Sequence, residues 1–132
     1  MLNKALQEKE KEVFATVDLL QIDRYFATAT LIKAGAAPTL LFRDGNCRRF
    51  ESKTPPAGIM KDVIAEKRSF KLKKGDVLLL LSDGVLQVEE GGSDLPVIHG
   101  GNAHAVANAV LSAARERTDR SDDMSVCAIR IY

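Results

Sequence analysis

Val77-Leu78-Leu79-Leu80-Leu81-Ser82-Asp83-Gly84 is the stretch on which the reading of the fold turns. Residues 77–81 are apolar at odd and even positions alike, so as a strand they present two apolar faces. Such a strand belongs in the middle of a sheet, covered on both sides. It stops at Asp83. A second acidic stretch, Ser121-Asp122-Asp123-Met124-Ser125-Val126, leads into the last apolar strand of the chain. Each stretch sets a carboxylate where strand meets loop, fixed by the strand and left open by the loop. A pair of hard oxygen donors held in this way suits Mg²⁺ or Mn²⁺ better than a soft metal. Alone, Asp83-Gly84 reads equally well as a turn, and Asp122-Asp123 as an acidic loop. Together, flanking one amphipathic helix, they are far more specific.

Working outward, residues 2–11 are strong helix formers with apolar positions only at the front, like the last turns of a longer helix. Residues 13–22 read as a strand and 27–33 as its antiparallel neighbour. Residues 38–43 and 47–52 form a hairpin around Asp44-Gly45, a pair suited to the positive φ values of a type I′ turn. After a turn at Pro55-Pro56, residues 63–72 alternate as a further strand, and Lys74-Gly75 turns the chain into residues 77–82. A polar, glycine-rich loop covers 89–101. Asn102 is the expected N-cap of a helix bearing Ala103, Val106, Ala107, Val110, Leu111 and Ala114 on one face. Residues 124–131 close the chain as a strand. Antiparallel strands with one late helix make an α+β domain.

The 132 residues fit one domain with a modest core. Lysine plus arginine is 19 and aspartate plus glutamate is 18, a net charge of +1. That balance argues against an electrostatic nucleic-acid binder and against contact with an anionic membrane. The longest apolar run falls far short of the roughly 20 residues needed to span a bilayer. Cys47 and Cys127 lack metal-ligand spacing and read as reduced thiols in a cytosolic setting.

Residues 14–132 resemble the C-terminal part of the metal-dependent type 2C (PPM-type) serine/threonine protein phosphatases. Within them they are most similar to the stage II sporulation protein E-like catalytic domains. The motifs that carry the resemblance are Phe14-Ala15-Thr16-Val17-Asp18, Ile32-Lys33-Ala34-Gly35-Ala36-Ala37-Pro38, Pro56-Ala57-Gly58-Ile59, Gly75-Asp76, Ser82-Asp83-Gly84 and Asp122-Asp123-Met124-Ser125-Val126. The segment from Gly35 to Pro38 points to the sporulation branch.

The resemblance implies an antiparallel β-sandwich with flanking helices, here incomplete at its N-terminus, with residues 1–132 the C-terminal part of a single phosphatase domain. It implies hydrolysis of phosphoserine and phosphothreonine at a two-metal centre of Mn²⁺ or Mg²⁺. Asp83 and Asp122 match the metal-binding aspartates and act through metal-activated water. Asp123 takes an orienting role beside Asp122, and Gly84 allows close backbone approach. Ser82 is a candidate for holding the Asp83 loop. No protein nucleophile is needed, in keeping with the lack of any recognisable nucleophile motif. By family, the substrate is an anti-anti-sigma factor in sporulation signalling. The resemblance also implies a membrane-anchored parent protein, with this part expected to be soluble and cytoplasmic.

The family pattern also holds an earlier strand with acidic ligands, including an Asp-Gly pair. Here the Asp-Gly pairs are Asp44-Gly45, explained by its hairpin, and Asp83-Gly84. Asp18 and Asp23 are not followed by glycine and do not replace those ligands. Two carboxylates leave a six-coordinate cation mostly to water, so the chain is expected to bind metal weakly and to be catalytically incomplete. Missing strands leave open edges, which points to a homo-oligomer through strand pairing or exchange. His99 and His104 read as surface histidines, and Arg43, Arg48 and Arg49 as solvated strand charges. Two alternatives stand: a non-catalytic regulatory or interaction module of the same fold, and a stress-response phosphatase with another protein substrate.

Overall fold

The computed structural model describes residues 2–7, 13–59, 64–88, 100–117 and 123–132. Two compact units divide the chain, one of Met1–Ala36 and Glu51–Leu72, the other of Ala37–Phe50 and Lys73–Tyr132.

The first unit holds helix α1 (Leu2–Gln7) and strands β1 (Val17–Asp23), β2 (Thr28–Ala34) and β5 (Glu66–Lys71), in the order β1-β2-β5. Both pairings are antiparallel, with Leu20 opposite Leu31 and Leu31 opposite Arg68. The β1–β2 turn is set by Asp23, whose Oδ1 accepts the N–H groups of Tyr25 and Phe26 at 2.9 and 3.0 Å. Asp18 faces Lys33 across the ladder and pairs with its Nζ at 2.8 Å. Both carboxylates of this strand therefore serve the sheet. β1 starts later than expected because the chain before Val17 turns to another partner. Ala15 and Ala57 exchange backbone hydrogen bonds of 2.9 and 2.8 Å. Gly35 ends β2 at φ +61°, and its N–H bonds the Thr54 carbonyl at 2.9 Å. A Cβ there would lie 2.5 Å from Pro56.

The second unit is a sheet of β3 (Thr39–Arg43), β4 (Asn46–Phe50), β6 (Val77–Leu81) and β7 (Val126–Arg130), ordered β4-β3-β6-β7, with helix α2 (Ala103–Arg117). The β3–β4 hairpin turns at Asp44 and Gly45 with φ of 51° and 76°, the paired positive values that a two-residue type I′ connection requires. β6 is central and buried on both faces, as its composition dictates. Val77, Leu79 and Leu81 pack with Leu40 and Phe42 of β3 and with Val106, Val110 and Ala114 of α2. Leu78, which points the other way, is fully buried as well. Each such side chain contributes about 1.5–3 kcal/mol, so packing outweighs the single cap on α2. That cap is Asn102, whose Oδ1 accepts the Ala105 N–H at 2.8 Å. Cys47 and Cys127 sit exposed on opposite edge strands and form no disulfide. The expected loop at 89–101 falls outside the described residues at 89–99.

One partly buried ion pair ties this sheet at its turn end. Arg43 lies one step beyond the Phe42–Val77 pair and so stands opposite Asp76. Its Nε and Nη2 donate to Oδ1 and Oδ2 of Asp76 at 2.8 and 2.5 Å. The Lys73 N–H adds a bond of 2.8 Å to Oδ2, closing the turn into β6. The Asp76 main chain also accepts the Ile131 N–H at 2.9 Å. Arg43 is thus a structural anchor rather than a solvated strand charge. Burial alone would raise the Asp76 pKa. The Arg43 and Lys73 hydrogen bonds outweigh it and hold the carboxyl below its ordinary value. The Arg43 guanidinium is held more strongly protonated by its own hydrogen bonds to Asp76.

Two stability measurements test these constraints. Gly35→Ala combines a strained backbone with the Pro56 clash and should cost about 3 kcal/mol in urea denaturation. Gly75→Ala, at φ +91° with nothing within 4 Å of a Cβ, meets strain alone and should cost about 1–2 kcal/mol. Equal losses would mean that Pro56 moves aside freely. Asp76→Asn should cost about 3 kcal/mol at pH 7 by stranding Arg43. A depressed carboxyl pKa stabilises fully above the unfolded value of about 4 and loses its effect as pH falls through the folded value. The gap between wild type and Asp76→Asn should therefore narrow at pH 3. A gap that widens in acid contradicts the assignment.

Candidate functional site

The opposite end of β6 carries the candidate site. One step beyond the Leu81–Val126 pair, Ser82 faces Ser125. The Ser82 N–H donates to the Ser125 carbonyl at 3.0 Å, and the Ser125 N–H donates to Ser82 Oγ at 2.8 Å. The Val85 N–H returns to the Ser82 carbonyl at 3.0 Å and opens a 3-10 helix over Asp83–Val88, where a simple loop was expected. Val85, fully buried in the core with α2, pins that turn from below. Asp83 is its first residue, and its side chain is exposed. Gly84, half-buried, follows in the same turn.

On the facing chain, Asp123 is exposed just ahead of Met124 and Ser125. The antiparallel register thus brings Asp83 and Asp123 to the same end of the β6–β7 pair. Asp122 lies outside the described residues. Among the described residues, no three histidine, cysteine, aspartate or glutamate side chains are grouped to hold a metal ion. The donors present are carboxylate oxygens, which fit a hard divalent cation in kind. In number they fall short of its six oxygen positions.

The other candidates are accounted for. Asp18 and Asp23 are committed to Lys33 and to the β1–β2 turn, so neither replaces a missing ligand. His104 is exposed and bonds Asn108 one helical turn on, at 3.0 Å. His99 lies outside the described residues. Ser82 is the residue that sequence reasoning undervalued. The signal available was its place directly before Asp83, and the partner that gives it a role appears only with the strand register.

The comparisons with known proteins agree with this fold. A family model described as Stage II sporulation protein E (SpoIIE) matches residues 1–132. Stage II sporulation protein E of Bacillus subtilis (strain 168) is 32% identical over 76 residues, and that of Priestia megaterium 29%. Those matches cover 58% of this chain, and the chain spans only 9% and 13% of these relatives' length. Among solved structures, the phosphatase domain of the cell fate determinant SpoIIE from Bacillus subtilis superposes with a TM-score of 0.69 at 26% identity, covering 88% of this chain and 55% of that one. The same PP2C phosphatase domain with a fragment of its regulatory domain gives a TM-score of 0.78 at 26% identity, covering 98% and 42%. The structure of the S. agalactiae serine/threonine phosphatase reaches 0.84 at 14% identity, covering 99% and 66%, a likeness of fold alone. Two antiparallel sheets with few helices are the common architecture. The chain belongs to the stage II sporulation protein E family.

Proposed function

We propose that this chain forms the C-terminal part of a metal-dependent serine/threonine phosphatase domain, with Asp83 and Asp122 as metal ligands. The observation that carries the reading is the β6–β7 register, which sets Asp83 and the approach to β7 side by side, in a chain matched to the family along its full length. When bound, Mn²⁺ or Mg²⁺ supplies Lewis acidity and lowers the pKa of a coordinated water. Asp83 and Asp122 supply hard oxygens, Asp123 orients the approach by hydrogen bonding, and Gly84 keeps the first 3-10 turn open to a close neighbour. The substrate is a phosphoserine on a regulatory protein of the anti-anti-sigma type in sporulation signalling, supported by the family assignment. No helix among the described residues is long and apolar enough to cross a membrane.

The solved phosphatase-domain chains are only about half covered by these 132 residues. The centre therefore needs ligands from outside the chain, and the chain alone binds Mn²⁺ weakly and turns over phosphoprotein poorly. The edge position of β1, with Leu19 56% exposed, supports pairing with a second copy. Light scattering should then show mass rising with concentration, and a monomer throughout would count against pairing.

A chimera tests the activity. Residues 1–132 replace the matching region of the Bacillus subtilis phosphatase domain, which keeps its own remaining half. Mn²⁺-dependent release of phosphate from a phosphoserine anti-anti-sigma factor is expected. Asp83→Asn or Asp122→Asn should lower kcat/KM by about 100-fold or more, the scale of several kcal/mol of lost charge stabilisation. A folded chimera that is inert with both aspartates intact supports the non-catalytic module instead. Activity indifferent to both substitutions sinks the metal assignment.

A further inference from the structure

Two bonds tie Ser82 to Ser125, and they differ in kind. The bond from the Ser82 N–H to the Ser125 carbonyl continues the β6–β7 ladder and would form with any residue at position 82. The bond from the Ser125 N–H goes to Ser82 Oγ at 2.8 Å, so it depends on a hydroxyl at that position. Ser82 is also the residue whose carbonyl accepts the Val85 N–H at 3.0 Å. One residue therefore both launches the 3-10 turn that begins with Asp83 and grips the chain two residues after Asp123. Among the described residues, no other side-chain hydrogen bond joins the end of β6 to the approach to β7.

We propose that Ser82 is a positioning residue: its hydroxyl, by accepting the Ser125 N–H, fixes the aspartate-bearing approach to β7 beside Asp83. The spacing between carboxylates on two different chain segments is then set by a short path through Ser82 that crosses a single side-chain hydrogen bond. Its consequence for metal binding rests on the phosphatase reading above, whereas the clamp itself does not. A hydroxyl bond of this kind changes a local equilibrium by a modest factor, so the effect belongs in positioning and not in overall folding.

The test uses the 132-residue chain with Ser82→Ala, Ser82→Thr and Asp83→Asn. Amide exchange followed by NMR on metal-free protein should show the Ser125 N–H exchanging about fivefold faster in Ser82→Ala. The Leu79 and Leu40 amides should keep their protection, and Ser82→Thr should restore Ser125. Titration with Mn²⁺ alone, read by paramagnetic line broadening, should show the apparent Kd rising about fivefold in Ser82→Ala. Ser82→Thr should lie within about twofold of wild type, and Asp83→Asn should abolish the broadening. Unchanged Ser125 exchange in Ser82→Ala overturns the clamp. Protection lost evenly across β3 and β6 makes Ser82 a general stabiliser and overturns positioning. Faster Ser125 exchange with unchanged Mn²⁺ affinity, while Asp83→Asn abolishes binding, overturns positioning and leaves the metal reading standing. Binding indifferent to Asp83→Asn ends the metal reading and the positioning role with it.

Discussion

The antiparallel register of β6 between β3 and β7 is the constraint on which the second unit depends. Side chains alternate along a strand, so a slip of one residue would turn Val77, Leu79 and Leu81 away from α2. The apolar load on that face makes such a slip costly by several kcal/mol. Once the register is held, both strand ends follow from it without further adjustment. Arg43 falls opposite Asp76 at one end, and Ser82 falls opposite Ser125 at the other. Five residues lie between Asp76 and Ser82, so about 20 Å of strand separates these ends. The ion pair that anchors the sheet is therefore kept apart from the candidate site, and each is free to have its own electrostatics.

The first unit uses its polar groups differently. Its sheet carries acidic side chains where the family pattern invites a search for ligands, yet each has a local task. Asp23 accepts two turn N–H groups, and Asp18 neutralises Lys33, which is almost wholly buried. Lys33 in turn cannot be left uncompensated at that depth. The close approach of Gly35 to Pro56 fixes how β2 leaves the sheet. Here the carboxylates are consumed in making the fold, and a ligand role for them would compete with it.

How much of this was legible in the residues varied with the range of the interaction. β6 declared itself through an apolar run with no polar face, and the hairpin through Asp44-Gly45, because both signals are local. The cap at Asn102 was legible for the same reason. The site was legible in part: Asp83 and Asp123 were named as residues, and the structure places them at one end of a strand pair. The Arg43–Asp76 pair was not legible, because nothing near Arg43 in sequence distinguishes it from Arg48 or Arg49. Only the β3–β6 register selects it. The late start of β1 escaped for a similar reason, since residues 13–16 have strand composition and their partner, Ala57, is about forty residues away. The 3-10 turn after Ser82 needed Val85 to find its place under α2, a tertiary requirement that outweighs the turn preference of Asp-Gly.

Asp76 and Asp83 sit at the two ends of one strand and show how position divides structure from chemistry. Asp76 is 1% exposed, and its carboxylate is met by a guanidinium and a backbone N–H. Those partners make it a good staple and a poor ligand, because a cation would have to displace Arg43 from a bidentate pair on a buried carboxylate. Asp83 is exposed, and the structure gives it no cationic partner among the described residues. A carboxylate held by a rigid strand end without a counter-charge adds little to stability, since water already solvates it. What such a group retains is the capacity to bind a cation from solution. Rigid support from Val85 below and a fixed neighbour through Ser82 are worth having only if that carboxylate must stay in one place, which is the argument for reading this end of β6 as the working end.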